Sequence, residues 1–106
     1  DYLTELIDAN SDASFEFPLP LRRNKSAWAQ YTVKCHNRET AMARLNKEAI
    51  PYSIHYPKPI FQQKAYKENI TDCSNSKTLS ECVLSLPINA YTKNDEISYL
   101  CEVLFK

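Results

Sequence analysis

His55, Tyr56, Gln62 and Gln63 stand close together in IPYSIHYPKPIFQQKAY, residues 50–66. An imidazole, a phenol and two amides offer hydrogen-bond donors and acceptors, so this cluster suits recognition of hydroxyls and phosphates. Two prolines, Pro57 and Pro59, stiffen the stretch that carries it, and a stiff loop loses less freedom when a ligand binds. The competing reading is a surface histidine that bonds its own loop backbone.

The other reactive groups make weaker cases. Cys35-His36 places a nucleophile beside a base. Neighbours on a strand point to opposite faces, which keeps the two apart. Lys77, in Ser76-Lys77-Thr78-Leu79, would need a desolvated or cationic setting to form a Schiff base. It falls outside the apolar stripe of its helix and reads as solvated. The carboxylates are dispersed, with no pair spaced for acid–base work. Cys35, Cys73, Cys82 and Cys101 contain no C-x-x-C pair, which excludes the usual zinc spacing. Cys82 and Cys101 lie on apolar helical faces and read as buried free thiols, in keeping with a cytoplasmic protein. Asn24-Lys25-Ser26 and Asn69-Ile70-Thr71 match the glycosylation-acceptor pattern, a triplet that chance supplies readily. The residues alone present no complete active site.

These groups need elements to position them. Ile50, Tyr52 and Ile54 alternate with Pro51, Ser53 and His55, the period of a strand that ends at Tyr56, ahead of the prolines. On that pattern Ile54 faces the core and His55 the other side. Residues 26–35, SAWAQYTVKC, predict the clearest strand. Ala27, Ala29, Tyr31, Val33 and Cys35 share one face, and Trp28, Gln30, Thr32 and Lys34 the other. If the two strands pair, His55, Gln30 and Trp28 line one side of the sheet. Asn37 caps a helix with Ala41, Met42, Leu45 and Ala49 at helical spacing.

Residues 61–67 suit a short helix. Asp72 or Ser74 suits the cap of a further helix, with Leu79, Cys82, Val83 and Leu86 as a buried stripe, although residues 83–86 fit a third strand equally well. Thr92-Lys93-Asn94-Asp95 reads as a capping box before a closing helix on Ile97, Leu100, Cys101 and Leu104. At the start, residues 1–9 read as the end of an inter-domain helix and 10–25 as a proline-bearing connector. Its alternating Phe15, Phe17, Leu19 and Leu21 suit a sheet edge. The expected fold is α+β, one domain over residues 1–106, with a mixed or antiparallel sheet of about three strands and helices on one face.

Composition narrows the function classes. The chain has 106 residues, 13 basic and 13 acidic, for a net charge of zero. It carries no basic field to collect nucleic-acid phosphates. No apolar run reaches the length of a membrane-spanning helix. There is no glycine, against an average near about 7%. Phosphate-cradling loops and nucleophile elbows of the glycine-dependent kind are therefore excluded. The first residue is Asp1, so the chain reads as a fragment or a processed product.

Several blocks in order and spacing carry a family resemblance. They are SAWAQYTVK, NRETAMARLNKEAIPYSIHYPKPIFQQKAY and LSECVLSLPINAYT, followed by the closing helix. The signatures are Trp28-Ala29-Gln30-Tyr31, His55-Tyr56-Pro57 with Gln63 and Ala65-Tyr66, and Leu84-Ser85-Leu86-Pro87. This pattern, from about residue 26 to 104, resembles the carboxy-terminal part of the DegT/DnrJ/EryC1/StrS sugar aminotransferases. The chain departs from the family at Ala49-Ile50, where Gly-Ile is usual, at Phe61, often histidine, and at Lys64, often proline.

The resemblance implies the small domain of the aspartate-aminotransferase fold type I, in an enzyme that uses pyridoxal phosphate. It implies amino transfer from an amino acid, glutamate being the expected donor, to a keto-sugar nucleotide in polysaccharide or lipopolysaccharide sugar biosynthesis. The cofactor's lysine, phosphate cradle and pyridine partner would belong to a large amino-terminal domain. This chain would then be inactive alone and hold no cofactor, and the full-length enzyme would be a homodimer. His55 and Tyr56 take the loop positions that face substrate. The alternative from another class is a free-standing α+β binding module, and the reading frame upstream of Asp1 separates the two.

Overall fold

The computed structural model describes residues 14–66 and 73–105. The expected helix over residues 1–9 lies outside them, as do Asp72 and the acceptor triplet at Asn69. The elements are β1 (Phe15–Glu16), β2 (Tyr31–Cys35), α1 (Arg38–Lys47), α2 (Ser74–Cys82), β3 (Val83–Leu86) and α3 (Asn94–Phe105). Two 3₁₀ turns, Ile60–Gln62 and Lys64–Tyr66, stand where one short helix was expected.

The sheet is antiparallel in the order β1-β2-β3. β2 is central and takes the alternation its sequence predicts. Tyr31, Val33 and Cys35 are buried, while Thr32 is half-buried and Lys34 exposed. On β3, Leu84 and Leu86 pair with Val33 and Tyr31 and share their face. α1 and α3 cover that face with Ala41, Leu45, Leu100 and Leu104. Phe105 closes one end edge-on to Phe15, with ring centroids 5.2 Å apart.

Side chains fasten the two covering helices together. Arg44 Nη1 donates to the carbonyl of Leu104 at 2.6 Å, and Tyr99 Oη donates to Glu48 Oε2 at 2.7 Å. Asn37 caps α1 as its type predicts, accepting from the Thr40 amide at 3.1 Å. The cap of α3 sits one residue later than its sequence suggests. Glu96 Oε2 accepts from the Lys93 amide at 2.7 Å, while Thr92 Oγ1 turns back to accept from the Asn89 amide at 3.0 Å. α2 starts after Cys73, which makes no side-chain cap bond, and Ser74, expected as a cap, is instead its first residue.

Three further expectations are corrected. The strand expected over 26–35 begins only at Tyr31, because Trp28 takes a left-handed backbone, φ 48°, which breaks the alternation. Its ring then lies on Tyr31, with centroids 5.0 Å apart, instead of on the opposite face. The strand expected over 50–56 reduces to one bridge, Ser53 to Ser85. Pro51 cannot donate to a ladder, and the partner edge of β3 spans only Val83–Leu86. The alternation itself survives, with Ile50, Tyr52 and Ile54 half-buried and Ser53 and His55 exposed. The stripe read onto α2 also fails. Val83 and Leu86 belong to β3, Leu79 is 39% exposed, and Ser80 takes the buried position.

A chain without glycine must place other residues where the backbone turns left-handed. Among the described residues they are Arg23, Trp28 and Ala49, each at a steric cost of about 1–2 kcal/mol. The connector pairs at Phe15–Glu16 but then leaves the sheet, and Leu19 and Leu21 are exposed.

Candidate functional site

The second face of the sheet is open. Thr32 and Val83 lie on it and line a cleft of about 730 Å³. Ser85, opposite Thr32, bonds it through the side chains, Oγ1 to Oγ at 2.8 Å. α2 supplies one wall through Ser76, Leu79 and Ser80, and residues 55–66 supply the other. Arg38 fixes the first wall, donating from Nη1 to the carbonyls of Ser80 at 2.7 Å and Val83 at 3.3 Å. Pro59, buried, anchors the second and opens its first 3₁₀ turn, where the Gln62 amide donates to the Pro59 carbonyl at 3.0 Å.

His55 and Tyr56 both line this cleft and both are exposed. Their rings meet edge to face at 5.9 Å, and the peptide bond between them is cis. Gln63 joins them in the cleft, whereas Gln62 does not. Of the side chains expected to share a face with His55, Gln30 shares a shallow hollow of about 190 Å³ with it. Trp28 does not, having turned onto Tyr31.

Sequence reasoning passed over Lys58. It lines the cleft between the two prolines, and its position in a stiffened loop beside His55 was the available signal. Lys58 and His55 line the cleft with no carboxylate among the described residues that line it, and these residues favour an anion. Tyr56, Phe61 and Tyr66 add aromatic surface. The arrangement can bind and orient a polar, anionic ligand with a flat or apolar part. Among the described residues it holds no nucleophile paired with a base.

The weaker candidates stay apart. Cys35 is 2% exposed and burial pushes its thiol up to about 12, while His36 is exposed. Lys77 is exposed, as its place on the helix predicts. Cys82 and Cys101 are half-buried thiols, not fully buried as their stripes suggested.

The model of the DegT/DnrJ/EryC1/StrS aminotransferase family matches residues 2–105. The chain belongs to this family. A UDP-2-acetamido-2-deoxy-3-oxo-D-glucuronate aminotransferase of Pseudomonas aeruginosa is 33% identical over 81 residues, which cover 76% of this chain and 23% of that protein. The crystal structure of a DegT DnrJ EryC1 StrS aminotransferase from Brucella abortus superposes with a TM-score of 0.86 at 31% identity, over 97% of this chain and 28% of that one. The sugar aminotransferase Spr1654 of Streptococcus pneumoniae, in its PMP form, shares the fold at 19% identity, with a TM-score of 0.79 over 99% of this chain and 28% of that one. The DegT-family chain described here therefore spans about a quarter of the length of these relatives. Its fold is the small α+β unit found in sugar aminotransferases of the aspartate-aminotransferase fold.

Aminotransferases of the DegT family depend on pyridoxal phosphate. That cofactor supplies an electron sink and is held by a Schiff-base lysine and a partner for its pyridine nitrogen. The described residues of this DegT-family chain do not fit it. Lys58 and Lys77 are exposed, and no carboxylate lines the cleft. Among the described residues no helix is long and apolar enough to cross a membrane.

Proposed function

We propose that this chain is the carboxy-terminal small domain of a pyridoxal-phosphate-dependent nucleotide-sugar aminotransferase, and that its open cleft closes over the sugar nucleotide. The observation that carries the reading is the cleft on the uncovered sheet face, where His55, Tyr56 and Lys58 stand together with no carboxylate among the described lining residues. Imidazole, phenol and ammonium donors suit a diphosphate and sugar hydroxyls. In the whole protein an amino-terminal domain supplies the cofactor lysine, and the enzyme works as a cytoplasmic homodimer. The amino donor is glutamate and the acceptor a nucleotide-linked keto-sugar destined for polysaccharide. The names of the relatives, one acting on a 3-oxo and one on a 3-dehydro UDP-sugar, make a UDP-linked 3-keto sugar the first acceptor to test.

The test is borohydride reduction of the full-length protein with pyridoxal phosphate, followed by peptide mapping, beside an amino-transfer assay with glutamate. The expected adduct lies on one lysine outside this chain, and the 106-residue chain alone neither traps cofactor nor turns over. An adduct at Lys58 or Lys77, with turnover by the isolated chain, overturns the proposal.

A further inference from the structure

We infer that Arg38 is a positioning residue for sugar-nucleotide binding: its guanidinium holds the end of α2 and so sets how tightly the cleft grips its ligand. The inference rests on the reading that this cleft takes the sugar nucleotide. Arg38 is half-buried and does not itself line the cleft. It acts through α2, whose Ser76, Leu79 and Ser80 form the first wall.

The two walls are fastened differently. Pro57 and Pro59 stiffen the second, and Pro59 is buried. Ser53, just ahead of that wall, exchanges both backbone bonds with Ser85, at 3.1 and 2.8 Å. α2 has little apolar anchorage to match this. Among the described residues it buries Ser80 alone, and that hydroxyl turns back to donate to the Lys77 carbonyl at 2.6 Å. Leu79, its one leucine, is 39% exposed. α3, by comparison, buries Ile97, Leu100 and Leu104. A helix draws most of its stability from a packed apolar face, so packing holds α2 only weakly.

Arg38 supplies what packing does not. The last four carbonyls of a helix lack partners within it. In α2 the Val83 amide takes the Leu79 carbonyl. The Arg38 side chain takes the next one, donating to Ser80 at 2.7 Å, and also reaches the carbonyl of Val83, the first residue of β3, at 3.3 Å. A cation there also meets the negative end of the helix dipole. Arg38 opens α1, which Asn37 caps and which buries Ala41 and Leu45. The guanidinium thus ties a weakly packed wall to a well packed helix. Both bonds leave one nitrogen, Nη1, so charge and reach matter here and the planar fork does not.

Without that tie the wall is free to shift in the empty enzyme, and ligand binding must order it. Ordering subtracts from affinity. Ser76, Leu79 and Ser80 supply contact surface, so the loss falls on bound substrate and transition state alike. Such a loss raises KM and leaves kcat unchanged.

The test uses the full-length enzyme, steady-state kinetics with a UDP-linked 3-keto sugar, and thermal unfolding. Arg38→Met should raise KM about tenfold, the factor that one lost charge-assisted hydrogen bond represents, with kcat within about twofold. Arg38→Lys keeps a cationic nitrogen and should restore most of the affinity. Arg44→Met is the control. Arg44 makes the same kind of bond from the same helix, Nη1 to the Leu104 carbonyl at 2.6 Å, but to α3 over the inner face. Its loss should lower the unfolding midpoint and leave KM within about twofold. Arg38→Gln, a milder truncation, serves in the same assays if Arg38→Met does not fold. An active enzyme whose KM survives loss of the Arg38 guanidinium, or rises equally in Arg44→Met, overturns the inference and leaves the reading of the cleft intact. So does a KM as high in Arg38→Lys as in Arg38→Met. A full-length protein that turns over no sugar nucleotide overturns that reading, and the inference with it.

Discussion

On the inner face of the sheet, Tyr31, Val33, Leu84 and Leu86 are at most 3% exposed, and α1 and α3 lie over them. On the outer face, Thr32 and Val83 meet an open cleft, around which Tyr56 is 74%, Ile60 70% and Tyr66 51% exposed. The same three strands carry both faces, so the difference does not come from the backbone. It comes from what each face is asked to hold. Large apolar groups left in water forgo about 1.5–3 kcal/mol of burial each. One face of the sheet is closed by aliphatic residues, and the other lies open beside a loop that carries aromatics, a histidine and a lysine, the face proposed above for binding.

The widest separation between the faces should appear in truncations. Leu45 is fully buried against the inner face, and Leu79 stands in the wall of the cleft. Leu45→Ala should cost about 2–5 kcal/mol, the range for a buried leucine that leaves a cavity. Leu79→Ala should cost about 1 kcal/mol or less. Urea unfolding followed by fluorescence suits both, since Trp28 is the chain's one tryptophan and its ring lies tilted against Tyr31. Equal losses would show that the outer face is packed as tightly as the inner one.

Alkali should attack the inner face. Burial raises the Cys35 thiol from its ordinary 9.0, and the Tyr31 phenol from 10.0, each to about 12. Between those limits the unfolded chain has released protons that the folded chain keeps. Deprotonation therefore favours unfolding. The contribution is complete below about pH 9 and is lost as pH rises to about 12. In Cys35→Ala the loss should begin nearer pH 10, with the Tyr31 phenol. Unfolding midpoints across this range check it, and an unchanged alkaline limb would remove Cys35 from the account.

The inner face was largely legible in advance, and the outer one only in outline. Tyr31, Val33 and Cys35 alternate, and Ile97, Leu100 and Leu104 recur at helical spacing, because burial imposes those periods directly. Trp28 broke the pattern through a left-handed φ that no periodicity encodes. Around the cleft, His55 and Tyr56 were found from residue type, but Lys58, Ser76 and Ser80 were not. Those residues meet across a gap in sequence, and only the fold of α2 against residues 55–66 brings them together. The short strand at Val83–Leu86 lay within reach of either reading, since Val-Leu-Ser-Leu suits a buried strand and a helix stripe alike.

The binding face should respond in the opposite sense to the packed one. In the full-length enzyme, His55→Ala should raise KM for the sugar nucleotide, with a loss of roughly 1–3 kcal/mol if the missing bond is to a charged phosphate. Stability should change by less than about 1 kcal/mol, because the side chain is exposed. Cofactor binding should be unaffected. A lower Tm with an unchanged KM would make His55 a structural residue and leave Tyr56 and Lys58 to carry the face.

The smallest expected effect isolates the backbone from both faces. Ala49 follows α1 with φ 54°, and the chain there closes as a helix normally does on glycine. The Ala49 amide donates to the Asn46 carbonyl at 3.1 Å, and the Ile50 amide to the Leu45 carbonyl at 2.9 Å. Alanine pays a steric cost in this conformation that glycine does not. Its methyl is exposed, so removing it loses no packing. Glycine loses more backbone entropy on folding, which offsets part of the gain. Ala49→Gly should therefore stabilise the fold, by about 1 kcal/mol or somewhat less. Ala43 provides the control, being exposed in the middle of α1. There the same substitution should destabilise by about 1 kcal/mol, the helical cost of glycine relative to alanine. Urea midpoints of the two variants should move in opposite directions. A loss at both positions would mean that the left-handed turn into Ile50 is not the conformation this chain keeps, and with it the placement of residues 50–66 along the cleft would fail.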